Sequence, residues 1–111
     1  MVKELIAKGA NVNAQTRNGI TPLMLACTSN NDEILKTLLA AGANFEAKDN
    51  HNSTPLIIAA KRSKEKIVKT LLTYKPNLNV LDDENKTALD YAIENKQNEI
   101  IDLLRKAGIK E

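Results

Sequence analysis

Few side chains in this sequence are equipped for bond-making chemistry. Cys27 is the single cysteine and His51 the single histidine. A cysteine nucleophile needs a base within hydrogen-bond reach, and these two fall in different kinds of segment, one helical and one a turn-rich link. Nor can one Cys and one His assemble a zinc site of two Cys and two His. Cys27, beside Ala26, reads as a buried small apolar residue, and His51 as a solvated residue available to a partner. Asp82, Asp83 and Glu84 are consecutive and lack the alternating ligand spacing of a calcium loop. They read as a solvated charge cluster or as a patch facing a basic partner. Gly9, Gly19, Gly42 and Gly108 are scattered, so no glycine-rich phosphate loop exists. Asn52-Ser53-Thr54 and Asn85-Lys86-Thr87 match the N-glycosylation acceptor pattern, but Met1-Val2-Lys3-Glu4 lacks the apolar core of a secretion signal. The expectation is a chain without catalysis, metal or cofactor.

Elements that could position these residues must fit in 111 residues, enough for one domain. Aromatics are limited to Phe45, Tyr74 and Tyr91, so the apolar content is Leu, Ile, Ala and Val, suited to closely packed small helices. A net charge of +2 is nearly balanced, which argues against nucleic acid as the main partner, since that needs a concentrated basic stripe. No apolar run is long enough to span a membrane. A lone cysteine excludes an intrachain disulfide and fits an intracellular, cytoplasmic setting.

Sliding the chain by 33 residues reveals its organisation. Thr21-Pro22-Leu23 lands on Thr54-Pro55-Leu56 and then on Thr87-Ala88-Leu89. Ala26, Ala59 and Ala92 align, as do Leu38, Leu71 and Leu104. Gly42-Ala43-Asn44 answers Gly9-Ala10-Asn11. Each unit reads physically. Thr21 suits an N-cap and Pro22 the first helical position. Leu23, Ala26 and Cys27 follow at helical spacing. Ser29-Asn30-Asn31 ends that helix, and Asp32 and Glu33 open a second at the positive end of its dipole. Ile34, Leu35, Leu38 and Leu39 form its apolar stripe, and Gly42 supplies a left-handed stop. Gly19 becomes Asn52 and Asn85 one and two units later. Glycine and asparagine best tolerate positive φ, so one backbone geometry is expected at all three.

A 33-residue period with Thr-Pro-Leu, a helix pair and Gly-Ala-Asn resembles the ankyrin repeat over essentially the whole chain. The resemblance implies an all-α solenoid of stacked helix-turn-helix units, each preceded by a β-hairpin or turn finger. It also implies a concave binding surface formed by the fingers and first helices. The units divide as an N-terminal half repeat at 1–15, repeats at 16–48 and 49–81, and a C-terminal capping repeat at 82–111.

Several positions depart from the family pattern. Its usual His after Thr-Pro-Leu is replaced by Met24, Ile57 and Asp90, which removes hydrogen bonds between units. Lys75-Pro76 stands in place of Gly-Ala, so a local distortion is expected there. Leu39 and Leu72 give way to Arg105, with Lys106 and Lys110 nearby, as a polar terminal cap requires. At the other end, Val2 to Gly9 supplies only a second helix. Either this half-unit serves as the N-terminal cap or, the reading favoured, the chain is cut from a longer array, with apolar surface partly uncovered around Leu5, Ile6, Leu23 and Leu25.

For the binding surface, the resemblance points to finger tips and exposed first-helix positions. The first unit offers Arg17, Asn18, Ile20, Thr28 and Ser29. The second offers Lys48, Asn50, His51, Ser53, Lys61 and Arg62, and the third Leu81, Asp83, Glu84, Lys86, Glu94 and Asn95. The middle is basic and the C-terminal third acidic, a dipolar strip suited to a protein of complementary charge. The expected function is non-catalytic protein–protein interaction through this surface. The alternatives are a structural segment that forms a homodimer through the incomplete N-terminal repeat, and a regulatory region of a larger protein.

Overall fold

Three threonines set the starting points of the first helices. The Thr21, Thr54 and Thr87 hydroxyls accept from the backbone N–H groups of Met24, Ile57 and Asp90, at 3.2, 3.4 and 3.2 Å, donors the helix itself leaves unpaired. The computed structural model describes residues 12–29 and 31–108. Within them the helices run α1 Pro22–Ser29, α2 Asp32–Ala40, α3 Pro55–Lys61, α4 Glu65–Leu72, α5 Ala88–Glu94 and α6 Asn98–Lys106. Each first helix packs on the second of its own pair. First helices α1, α3 and α5 stack in one layer and second helices α2, α4 and α6 in another, along a long axis of 42 Å.

Small residues make the first layer close. Ala26, Cys27, Ala59, Ala60 and Ala92 are buried between neighbouring helices, where longer side chains would push the units apart. Leu35, Leu38, Ile67, Val68, Leu71, Ile100 and Leu104 fill the space between the layers. Cys27 is among these buried residues, and burial pushes its thiol up to about 12.

The links between pairs are fingers closed as turns, and no strand occurs among the described residues. The same two bonds recur in each. Gly19, Asn52 and Asn85 donate backbone N–H to the carbonyls of Thr16, Asp49 and Asp82, and the latter three N–H groups donate to the carbonyls of Ile20, Ser53 and Lys86. A single backbone bond joins neighbouring fingers, Asn50 N–H to Asn18 O at 3.0 Å and Asp83 N–H to His51 O at 2.9 Å. The shared geometry expected at Gly19, Asn52 and Asn85 is present, with φ of 79°, 61° and 59°. At Gly19 a second reason applies, because an added Cβ would lie 2.9 Å from the Asp49 Cα.

Two expectations need correction. Lys75 brings no distortion, since it takes the left-handed conformation of Gly42 and Gly108 at φ 54°. The helix stop is conserved in shape and the lysine carries the steric strain. Leu23 is not uncovered but fully buried, whereas Leu25 is 58% exposed; Leu5, Ile6 and most of the N-terminal half repeat lie outside the described residues. Where the family histidine is missing, Met24 and Ile57 are buried, and the Met24 sulfur accepts from Thr21 N–H at 3.5 Å. The third residue of that register, Asp90, closes a capping box, its carboxylate accepting from Thr87 N–H at 2.9 Å. At the C-terminal end Arg105 and Lys106 are exposed, and Lys110 lies outside the described residues.

Candidate functional site

Asp49 and Asp82 hold the fingers that frame the site. One oxygen of Asp49 accepts from the N–H groups of His51 and Ser53 at 2.8 and 3.0 Å. One oxygen of Asp82 accepts from Glu84 and Lys86 at 2.9 and 3.0 Å. In the first finger Thr16 does the same work with its hydroxyl, accepting from Ile20 N–H at 3.1 Å. The other oxygen of Asp82 accepts a short hydrogen bond from the Tyr91 hydroxyl on α5. Asp82 is therefore buried and structural, which corrects its reading as part of a solvated cluster. Burial would raise its pKa, but the bonds from Tyr91, Lys86 N–H and Glu84 N–H outweigh that and hold it below the usual carboxylate value. Burial first, and then the Asp82 carboxylate, pushes the Tyr91 phenol well above its usual value.

Fingers and first helices together enclose a groove of about 660 Å³. Of the residues expected at a binding surface, it brings together Ile20, Thr28, His51, Ser53, Lys61, Arg62, Asp83 and Glu84, drawn from three successive units. Ser53 is only 7% exposed and serves the finger turn more than a visitor. Arg17, Asn18, Ser29, Lys48, Asn50, Leu81, Lys86, Glu94 and Asn95 are outside the lining. Among them, Asn95 donates to the Lys61 carbonyl at 3.1 Å, tying the ends of α3 and α5 together. Four lining residues were not among the expected surface positions: Asp49, Ile58 and Tyr91, and Asp82, which was read only as part of an acidic cluster. A signal existed for all four, because Asp49 and Asp82 share one register position and Leu25, Ile58 and Tyr91 another.

The charge layout also differs from a simple dipolar strip. His51 Nδ1 lies 3.0 Å from Asp83 Oδ2 across two fingers, and this bond raises the histidine pKa above its ordinary value. Lys86 Nζ lies 2.8 Å from Glu94 and 3.9 Å from Glu84. Lys86 thus answers Glu84 and Glu94 within the third unit, and His51 of the second unit answers Asp83. Lys61 and Arg62 form no ion pair among the described residues, although the Lys61 ammonium sits 5.3 Å from the Tyr91 ring centroid. A second ammonium, from Lys86, lies 5.4 Å from the same centroid.

No group of three or more His, Cys, Asp or Glu side chains among the described residues is arranged to hold a metal. Among the same residues, no helix is long and apolar enough to cross a membrane.

A stack of helix pairs with turn fingers, carrying a groove lined from three successive units, defines a repeat solenoid. Family models agree: ankyrin repeats (3 copies) match residues 46–111 and ankyrin repeats (many copies) match residues 5–59. The chain belongs to the ankyrin-repeat family, whose members are generally protein–protein interaction modules. No curated protein matches it.

Proposed function

We propose that this chain is a non-catalytic recognition module that seats a partner protein in the groove between its fingers and first helices. The observation that carries this reading is the lining of that groove. Its apolar members Ile20 and Ile58 and its cations Lys61 and Arg62 come from two successive units that only the fold brings side by side. Neither cation forms an ion pair among the described residues, although the Lys61 ammonium also lies over the Tyr91 ring. On this reading the repeats run 16–48, 49–81 and 82–111 behind a half repeat at 1–15, and the setting is cytoplasmic, where Cys27 stays reduced.

Site-specific photo-crosslinking in cells tests the surface. A photoreactive residue at Thr28 or Arg62 is expected to trap a discrete partner band, and one at Lys36 or Lys69 on the second helices is not. Crosslinks from the second-helix positions alone would overturn the assignment.

A second reading, self-association, rests on Leu25 and Ile93, which are exposed. Ile93 occupies the register of the fully buried Cys27 and Ala60, so an end of the stack retains apolar surface. Sedimentation velocity over a concentration series separates the two. A monomer throughout removes self-association; a dimer that Leu25→Lys or Ile93→Lys dissociates supports it.

A further inference from the structure

We infer that a notch at the ends of α4 and α6 receives an aromatic side chain of a partner protein, flanked by a carboxylate on the same segment. The notch encloses about 310 Å³ between Leu72, Lys75, Pro76, Leu78 and Ala107. It shares no residue with the groove of fingers and first helices, so the two sites stand or fall separately. The repeat itself shows what this place is shaped to hold. One unit earlier the same positions are Leu39, Gly42, Ala43, Phe45 and Tyr74. There the Tyr74 ring packs on the Phe45 ring with centroids 5.8 Å apart, a favourable aromatic pair. In the notch Leu78 stands for Phe45 and Ala107 for Tyr74. The backbone frame is unchanged, with left-handed stops at Gly42, Lys75 and Gly108; the ring is missing. An apolar space left by truncation is one that a ring of the missing kind can refill. Lys75 and Ala107 are exposed, so the notch opens to solvent.

Charge at the rim chooses the flank. Lys75 is the one charged residue of the lining, which holds no carboxylate, and it forms no ion pair among the described residues. It also takes a left-handed conformation at φ 54°, where Gly42 and Gly108 avoid the steric cost. A lysine held against local preference points to a use for its ammonium, and a carboxylate beside the ring would meet it. An aromatic anchor seated in a pocket with polar groups at the rim is the anatomy of a protein-binding hot spot. The family supplies the class of occupant, since ankyrin-repeat proteins are generally protein–protein interaction modules.

The test titrates the ¹⁵N-labelled chain with three N-acetylated, C-amidated dipeptides, Asp-Tyr, Lys-Tyr and Asp-Leu. Asp-Tyr is expected to shift the amides of Leu72, Lys75, Leu78 and Ala107 with a Kd on the order of 1–10 mM. Lys-Tyr and Asp-Leu should each bind at least about threefold more weakly, and Lys75→Glu should reverse the order of Asp-Tyr and Lys-Tyr. Ala107→Tyr, which restores the missing ring, should abolish the shifts and leave the groove amides of Ile58 and Arg62 as in the parent. No shifts at the notch, or shifts that persist in Ala107→Tyr, would overturn the site. Equal binding of Asp-Leu would overturn the aromatic occupant, and equal binding of Lys-Tyr its acidic flank. Peptide shifts seen only in Ile109→Ser would give the notch to the chain's own terminus. Shifts that grow with protein concentration alone would give it to a second copy, and either result would overturn the inference. All of these outcomes leave the groove to its own test.

Discussion

Tyr91 and Asp82 join a helix to the finger before it, and each changes the ionisation of the other. Removing the hydroxyl leaves a buried carboxylate oxygen without its donor. We expect Tyr91→Phe to lower stability by about 1–3 kcal/mol in a urea titration at neutral pH. Its pH profile should also change. The Asp82 pKa is lowered on folding, so its contribution is present above the unfolded value near 4 and is lost as pH falls through the folded value. The Tyr91 pKa is raised, so its contribution is full below about 10 and is lost as pH rises. In Tyr91→Phe both limbs should flatten; a profile parallel to the parent would show that the pair is not coupled. His51 runs the other way from Asp82. Its raised pKa makes the cross-finger ion pair fully effective below the unfolded value near 6.5 and lost as pH rises through the folded one. NMR titration of the His51 ring should give a midpoint above 6.5 that falls back toward it in Asp83→Asn. An unchanged midpoint would remove Asp83 as the cause. Neither contact was legible from residue types. Asp82 looked like the first of three adjacent acids, and Tyr91 was only one of three aromatics. What the sequence held was the recurrence of Asp49 at Asp82, a periodic acceptor whose meaning depends on finger N–H groups that only the folded turn aims at it.

At the scale of the element, the positive-φ positions repeat more faithfully than their residues do. Gly42, Lys75 and Gly108 end the second helices at φ of 90°, 54° and 99°. Backbone shape was thus legible at Gly19, Asn52 and Asn85, where residue type announces it. It was hidden at Lys75, where neighbouring units impose it against local preference. The second-helix starts show the same principle. Asn31, Lys64 and Gln97 occupy one register with nearly equal dihedrals, φ −99° and ψ 89°, −92° and 82°, and −90° and 81°. Only Asn31 caps, its side-chain oxygen accepting from Ile34 N–H at 3.1 Å. Because the backbone is already in place, Lys64→Asn should gain a cap and raise stability by about 1 kcal/mol. Lys75→Gly should add roughly 1 kcal/mol by relieving a left-handed lysine. Urea midpoints check both. A loss of stability in Lys64→Asn would show that the Lys64 side chain does more for the native state than its lack of a capping bond suggests.

At the scale of the whole molecule, a stack differs from a globule in how a local loss spreads. Leu71 and Leu104 make the comparison like for like, being the same residue in the same register and equally buried at 0% exposure. Only their neighbours differ. α4, which carries Leu71, packs against α3 in its own pair and against α2 and α6 on either side, whereas α6, which carries Leu104, packs against α5 and α4. Truncating either leucine removes similar apolar surface and leaves a similar cavity, so the intrinsic cost is about 2–5 kcal/mol in both. Stability in a stack is a sum of unit terms and nearest-neighbour interfaces. Leu71→Ala therefore strikes one unit and two interfaces, and Leu104→Ala one unit and one interface. In hydrogen exchange, Leu104→Ala should lose protection over α5 and α6 while α1 to α4 stay close to the parent. Leu71→Ala should lose it over α1 to α6, because a broken middle takes from each flanking unit a neighbour it packs against. The groove draws lining from all three units, so its shape should be lost in Leu71→Ala and only partly in Leu104→Ala. Uniform loss of protection in both variants would mean that three units unfold as one, and the groove would then be present whole or not at all.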